Sequence, residues 1–170
     1  RGMNVMSVRS KDITLGWDSP VKEIVHPRNV NLNINGGLGW LDSFNEWMVR
    51  CGLEYSGHPG DDKGRLMTLH GRIAHIPASE LTVKVDKLPP HRISVTGIVN
   101  EVWFKGANLT LETTISTIPG THTFRLDDVV TNNSSQEKEF QVLYHANFAK
   151  ELLEAGSRLE GTIAAVQPFN

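Results

Sequence analysis

The segment Ile-Ser-Val-Thr-Gly-Ile, residues 93–98, decides the fold class because apolar and polar side chains alternate along most of it. Successive side chains of a strand point to opposite faces, so this pattern predicts a strand with one face in a core. The same alternation occurs at residues 81–86 and 109–115, and it continues at Phe124 and Leu126. Turn-forming segments separate these runs, at residues 88–91, 105–108, 118–121 and 131–135. The sequence therefore predicts an all-β fold, an antiparallel β-sandwich.

Helical patterns are few. Asp42 is placed to cap a short helix over residues 43–50, where Phe44, Trp47 and Met48 have i, i+3, i+4 spacing. A second helical turn is predicted at residues 149–153.

In the first of these helices, Glu46 and Arg50 would lie one turn apart and form a surface ion pair. The surrounding segment, residues 20–64, is too irregular for strands and too long for a structureless linker. A loop of this kind in a compact domain is usually functional.

Composition limits the partners. The 170 residues are 39% apolar and 21% charged, which predicts one domain over residues 1–170 with a real core. The 17 basic and 19 acidic residues give a net charge of −2 without any block of like charge. We therefore expect no nucleic acid and no membrane surface as partner, but a small or neutral molecule.

Cys51 is the single cysteine, so no intrachain disulfide forms, and this favours the reducing cytoplasm. A buried thiol is favoured over a nucleophile. His70 and His75 would point to opposite faces of a strand and could not bind one ion together, so we expect no zinc site. We also expect no other metal and no organic cofactor. The glycines at 36, 37 and 39 lack the lysine of a phosphate loop, and they indicate tight turns around Trp40.

Two polar pairs indicate a site for a polyhydroxyl ligand. His145 and Asn147 stand two residues apart at the end of an apolar strand, so both side chains share a face. His70 and Arg72 have the same spacing on another predicted strand. The alternatives are a histidine satisfied in the core for His145, and a buried ionic cluster with an upstream acid for His70 and Arg72.

Four segments resemble the uncharacterised aldose-epimerase-like branch of the galactose mutarotase-like superfamily. They are Gly-Gly-Leu-Gly-Trp-Leu-Asp-Ser-Phe-Asn-Glu-Trp-Met-Val-Arg-Cys-Gly-Leu (36–53), Leu-His-Gly-Arg-Ile-Ala-His-Ile-Pro-Ala (69–78), Phe-Gln-Val-Leu-Tyr-His-Ala-Asn-Phe (140–148) and Leu-Leu-Glu-Ala-Gly-Ser-Arg-Leu (152–159). The resemblance implies a large antiparallel β-sandwich, a supersandwich, that binds a sugar in a cleft on one sheet. It also implies an isomerase of aldose 1-epimerase type, acting on a sugar or keto-sugar in carbohydrate metabolism.

The resemblance also assigns roles to residues. His145 would be the general acid that protonates the ring oxygen, and His70 would hold or polarise the ring side. Arg72 and Arg50 would bind hydroxyl or carbonyl oxygens. Tyr144 stands where the family motif has an asparagine, and Asn147 follows the histidine instead, as a further substrate-binding candidate.

The family's base is a glutamate from the later part of the sandwich, and we expect this chain to end before it, as part of a longer family domain. Glu54, Asp61 or Asp62 could substitute, and Glu54 is also a candidate for binding. An open sheet with an uncovered apolar face would then need a missing C-terminal half or a second copy.

Two other functions stay open from the sequence. A non-catalytic sugar-binding module would need only donors, acceptors and an aromatic platform such as Trp40 or Trp103. An interaction domain that adds a strand at its open edge would leave both polar pairs unexplained.

Overall fold

The computed structural model describes residues 1–150, 152–158, 160–162 and 165. Within these residues the chain forms ten strands and four short helical segments. The strands are β1 (Val8–Ser10), β2 (Ile13–Leu15), β3 (Met48–Leu53), β4 (Gly60–Asp62), β5 (Arg65–Met67), β6 (Ser79–Val85), β7 (Ile93–Val102), β8 (Asn108–Thr117), β9 (Phe124–Asn132) and β10 (Gln141–Ala146). Single helical turns span Pro27–Asn29, Ile34–Gly37, Gly39–Ser43 and Ile73–His75.

Strands β6 to β9 form an antiparallel meander in chain order, as the alternation predicted. Each predicted turn segment connects two neighbouring strands of this sheet or follows its last strand. The inward positions of the longest two strands alternate with outward ones, so Val99, Leu109 and Leu111 are fully buried. The sequence prediction of antiparallel strands is therefore confirmed for this sheet.

A second layer consists of β3 and β10, which pair antiparallel with His145 opposite Val49. Leu53 at the end of β3 packs in one core cluster with Ile73, with Val99 of β7 and with Leu109 of β8. The two layers make the fold an antiparallel β-sandwich, as predicted.

The predicted helix over residues 43–50 is wrong. Residues 48–53 form strand β3, and all six are buried. A strand buried on both faces has no alternation, so its apolar spacing imitated that of a helix. The helical turn that does form ends earlier, at Ser43.

The predicted surface pair between Glu46 and Arg50 is also wrong. Glu46 is buried and bonds the Arg1 guanidinium at 2.8 Å. Arg50 is fully buried and pairs with Asp128 of β9. Glu46 precedes strand β3 and Arg50 lies within it, so the two side chains do not have the helical i, i+4 arrangement, and each pairs with a residue of another segment.

One end of the four-stranded sheet leaves its inner face uncovered. Val83, Val85 and Ile93 share this face and are 65%, 58% and 37% exposed. The other end of the same face is covered by β3 and the turn that follows residue 72. The uncovered apolar face expected from the sequence is present here.

The predicted turn at residues 149–153 contains residue 151, and the motif at 152–159 contains residue 159, both outside the described residues. The Leu152 and Leu153 amides donate to the Ala149 carbonyl, which closes a turn there. No helix in the described part of the chain is long and apolar enough to cross a membrane.

Candidate functional site

The site is built around two histidines from distant parts of the chain. The rings of His70 and His145 lie 5.5 Å apart, centroid to centroid, in an edge-to-face arrangement. Trp40 lies 4.9 Å from the His70 ring and 6.1 Å from the His145 ring. Both histidines are half-buried, so a ligand can reach them.

Strand pairing positions His145. It lies one residue before the end of β10, opposite Val49 of β3, so both side chains lie on the same face of the pair. That face carries the second core cluster, which contains Val49, Cys51 and Trp40. Phe44 packs its ring edge-to-face on His145 at 5.2 Å. The imidazole is thus in contact with two aromatic rings near the end of a paired strand.

A left-handed turn positions His70. Its φ is +57°, and that of Gly71 is +74°. A Cβ at Gly71 would collide with the carbonyl oxygens of Tyr55 and Gly52, which explains why glycine follows the histidine. The prediction that His70 and Arg72 share a face of a strand is therefore wrong, because two successive left-handed residues turn the chain between them.

Burial sets the protonation state of His70. It lowers the pKa of this imidazole, and the charges of the nearby His145 and His58 lower it further. His70 is therefore neutral at neutral pH, with one nitrogen able to accept a proton. Its buried Nδ1 has no hydrogen-bond partner within the described residues.

Trp40 forms a wall of the site and not an open platform. Only 1% of it is exposed, and it contacts Phe44, His70, His75 and His145 through its rings. The glycine turns expected around it are present, since Gly37 has φ +95°. At Gly39 a Cβ would collide with the Asn31 carbonyl.

Two predicted binding residues have other partners. Arg50 bonds Asp128 and the main-chain carbonyls of Gly2 and Met3, so it ties β3 to β9 and to the first residues. Asn147 follows β10, and its side-chain amide donates to the Glu46 carbonyl at 3.4 Å. The placement of Arg50 does not support contact with a substrate.

Glu54 belongs to a compact charged cluster beside the site. Both its oxygens accept hydrogen bonds, at 3.0 and 2.7 Å from Arg65 and at 3.0 Å from the Trp103 indole. The Arg65 guanidinium also lies 4.0 Å from the Trp103 ring centroid. Burial pushes the pKa of Glu54 upward, but the Arg65 and Trp103 hydrogen bonds outweigh it and lower the pKa overall.

Arg72 is half-buried, and its charge acts on both Glu54 and Glu101. Asp61 and Asp62 lie exposed on the β4–β5 hairpin. The structure thus brings together His70, His145 and Trp40, and it places Arg72 near enough to Glu54 and Glu101 for its charge to act downward on the pKa of both carboxyl groups.

A family profile described as a domain of unknown function, DUF4432, matches residues 1–170. The chain belongs to the DUF4432 family. A crystal structure of a "putative aldose 1-epimerase" from Klebsiella pneumoniae subsp. pneumoniae MGH 78578 is 44% identical to it, with a TM-score of 0.90.

The alignment covers 92% of this DUF4432 chain but only 41% of that protein. The chain therefore spans less than half the length of this relative. No curated protein matches the chain. The family resemblance and the aldose-epimerase-like sandwich expected from the sequence motifs are confirmed.

Two residues at or near the site around His70 and His145 were not predicted from the sequence. The spacing predicts Phe44 on the apolar face of a helix, but its ring contacts His145. Glu101 occupies an inward position of β7 with Gly97 and Val99, and the sequence analysis does not predict a role for it. An acid at an inward position of an alternating strand was the available signal, because buried acids require partners.

Cys51 is fully buried, as the sequence favoured. Burial raises the pKa of its thiol to about 12, so it is a core residue and not a nucleophile. Within the described residues, no three His, Cys, Asp or Glu side chains are grouped to hold a metal ion.

Proposed function

We propose that this protein acts on a sugar or keto-sugar as an isomerase of aldose 1-epimerase type. The observation that carries this proposal is the approach of His70 and His145 to 5.5 Å beside Trp40. Two imidazoles of this kind can act on two oxygens attached to one carbon, which is what opening a sugar ring requires. The solved relative described above supports the same reaction class.

In the proposed reaction, His145 donates a proton to the ring oxygen of the sugar. The neutral His70 accepts a hydrogen bond from the anomeric hydroxyl and takes its proton as the ring C–O bond breaks. The resulting aldehyde rotates about its bond to the next carbon, and the ring closes on the other face. Both protons return in the reverse sense, so the reaction needs no organic cofactor.

Other residues would bind the sugar. Arg72 offers guanidinium donors to hydroxyl oxygens, and Asn147 offers its amide oxygen, which the bond to Glu46 leaves free. Arg65 and Trp103 bind both oxygens of Glu54, so this acid is not available as a base in the proposed reaction.

The test is an NMR screen of aldoses, keto-sugars and sugar phosphates that measures saturation transfer and anomer interconversion in the same samples. We expect wild-type protein to accelerate interconversion above the buffer rate for one class. His145→Ala, still folded by circular dichroism, would lose this acceleration, while His122→Ala, at an exposed turn, would keep it. An unchanged rate in His145→Ala would contradict the proposal.

A second candidate function is a non-catalytic sugar-binding module. It is favoured by one observation, that both oxygens of Glu54 are taken by Arg65 and Trp103, so this acid is not poised as a base. In the same screen, this function predicts saturation transfer to the sugar without faster interconversion.

A further inference from the structure

Tyr144, the residue before His145, has no part in the proposed reaction. The two residues are neighbours on β10, so their side chains point to opposite faces of this strand. Tyr144 lies opposite Arg50 in the ladder with β3, and His145 lies opposite Val49. Tyr144 therefore shares a face with Arg50, behind the face that carries the site.

The Tyr144 hydroxyl reaches across to the other layer of the sandwich. It donates a hydrogen bond to Oδ2 of Asp128 on β9 at 2.8 Å. Burial raises the pKa of this phenol, and the hydrogen bond and charge of Asp128 raise it further, so the hydroxyl stays protonated as a donor. A hydrogen bond to a charged acceptor is stronger than one between neutral groups. This contact ties the strand that carries His145 to β9.

The Asp128 carboxylate is a fixed anchor for this bond. Its Oδ1 accepts a hydrogen bond from the Thr113 hydroxyl of β8 at 2.6 Å, and its Oδ2 also accepts one from Nε of Arg50. The Arg50 guanidinium donates in turn to the main-chain carbonyls of Gly2 and Met3. Only 5% of the Asp128 side chain is exposed, so little water competes for it. The acceptor is thus held from β3 and β8, and the phenol on β10 adjusts to it.

Strand β10 has few other contacts that fix its orientation. Within the described residues it pairs with β3 alone, and its other edge carries no strand. Two-stranded ribbons twist more than larger sheets do. Rotation of a strand about its own axis moves the side chains of both faces together. Holding Tyr144 on one face therefore also fixes the direction of His145 on the other.

We propose that Tyr144 is a positioning residue, whose hydrogen bond to Asp128 sets the direction in which His145 enters the site. The consequence for catalysis rests on the proposed function, in which His145 protonates the ring oxygen of the sugar. Misplacement of a reacting group by about 1 Å can cost about 100-fold in rate. A hydroxyl that never touches the sugar would thus control the rate of proton transfer.

The first measurement needs no ligand. Tyr144→Phe keeps the ring and removes only the hydroxyl, so the ring current of residue 144 hardly changes. In aromatic NMR spectra of the intact protein, with the His145 signals assigned through His145→Gln, we expect its ring protons to shift and their cross-peaks to Phe44 to weaken. Tyr55→Phe is the matched control, because it removes the hydroxyl that bonds Thr68 and should leave the His145 signals in place. Unchanged His145 signals in Tyr144→Phe would overturn the positioning role.

The second measurement separates kcat from KM for the sugar class found in the interconversion screen. We expect Tyr144→Phe to lower kcat about tenfold and to leave KM unchanged, because a misdirected His145 slows proton transfer without weakening sugar binding. An equal kcat in variant and wild type would overturn the consequence for catalysis. A wild-type protein that accelerates no interconversion would refute the proposed function, and the His145 signals would still decide the positioning role.

If Tyr144→Phe does not fold, Thr113→Val replaces it. This variant has a side chain of similar shape and removes the hydrogen bond to the other oxygen of the Asp128 carboxylate. We expect the His145 ring signals to shift in the same experiment, although position 113 lies on β8 and not on β10. Unshifted signals would show that the carboxylate does not anchor β10, and they would overturn the proposal.

Discussion

Acidification is expected to destabilise the protein through His75. Its Nε2 lies 2.7 Å from the Ser43 hydroxyl, and its ring lies edge-on to Trp40. Its Nδ1 has no hydrogen-bond partner in the described part of the chain. Burial, with a smaller contribution from the charge of Arg1, lowers the pKa of His75 from 6.5 to about 4.

The sign and size of the effect follow from proton binding. Below pH 6.5 the unfolded chain binds a proton at His75, but the folded protein does not until the pH reaches about 4. The contribution of neutral His75 to the free energy of unfolding is therefore fully present above pH 6.5 and is lost as the pH drops toward 4. At about 1.4 kcal/mol per pH unit, the loss amounts to about 3 kcal/mol in the free energy of unfolding.

Urea unfolding of wild type and His75→Gln at pH 7, 5 and 4 measures this loss. The glutamine amide can still bond the Ser43 hydroxyl, and it does not titrate. The variant is expected to lose about 3 kcal/mol less than wild type between pH 7 and pH 4. Contributions of the carboxylates cancel in the comparison. Equal losses in the two proteins would refute the reasoning.

Three further predictions concern the core. Because burial raises the pKa of Cys51 to about 12, a thiol reagent is expected to label it only after unfolding, and rapid labelling of native protein at pH 8 would contradict this. Arg50→Met leaves the Asp128 carboxylate buried without its cation, so we expect a loss of about 3–5 kcal/mol in urea unfolding, and a loss near zero would count against the pair. Gly39→Ala places a methyl group against the Asn31 carbonyl and is expected to lower the free energy of unfolding by about 1–3 kcal/mol. Gly60→Ala, with open space around it, is the control and should shift the urea midpoint little. Equal midpoints for the two variants would argue against the contact at Gly39.

Strands with one solvent-facing side could be predicted from sequence, and strand β3 could not. At residues 93–98 and 109–115 one face of the strand is buried and the other is more exposed to solvent. Apolar and polar residues therefore alternate in the sequence, and this alternation predicts the strand. Residues 48–53 are buried on both faces, so their sequence shows no alternation of apolar and polar residues. Only the tertiary contacts, such as Arg50 with Asp128, distinguish this strand from a helix.

The site could be predicted in part. The local pattern predicts the strand that carries His145, and the family resemblance predicts that His145 and His70 belong to the same site. Local pattern placed His70 on a strand, because the left-handed conformation of residues 70 and 71 leaves no period in the sequence. The approach of Trp40 and Phe44 depends on a loop whose course is set by contacts distant in sequence, so it could not be read from spacing.

We propose that His70 and His145 act on a sugar as one acid and base pair. The most direct test compares rates of anomer interconversion for His70→Gln, His145→Gln and the double variant, each shown to be folded. Each single variant is expected to lose about 100-fold in rate, and the double variant to lose no more than the slower single one, because groups that act together are not additive. Losses that multiply in the double variant, or single variants with the wild-type rate, would contradict this pairing of the two histidines.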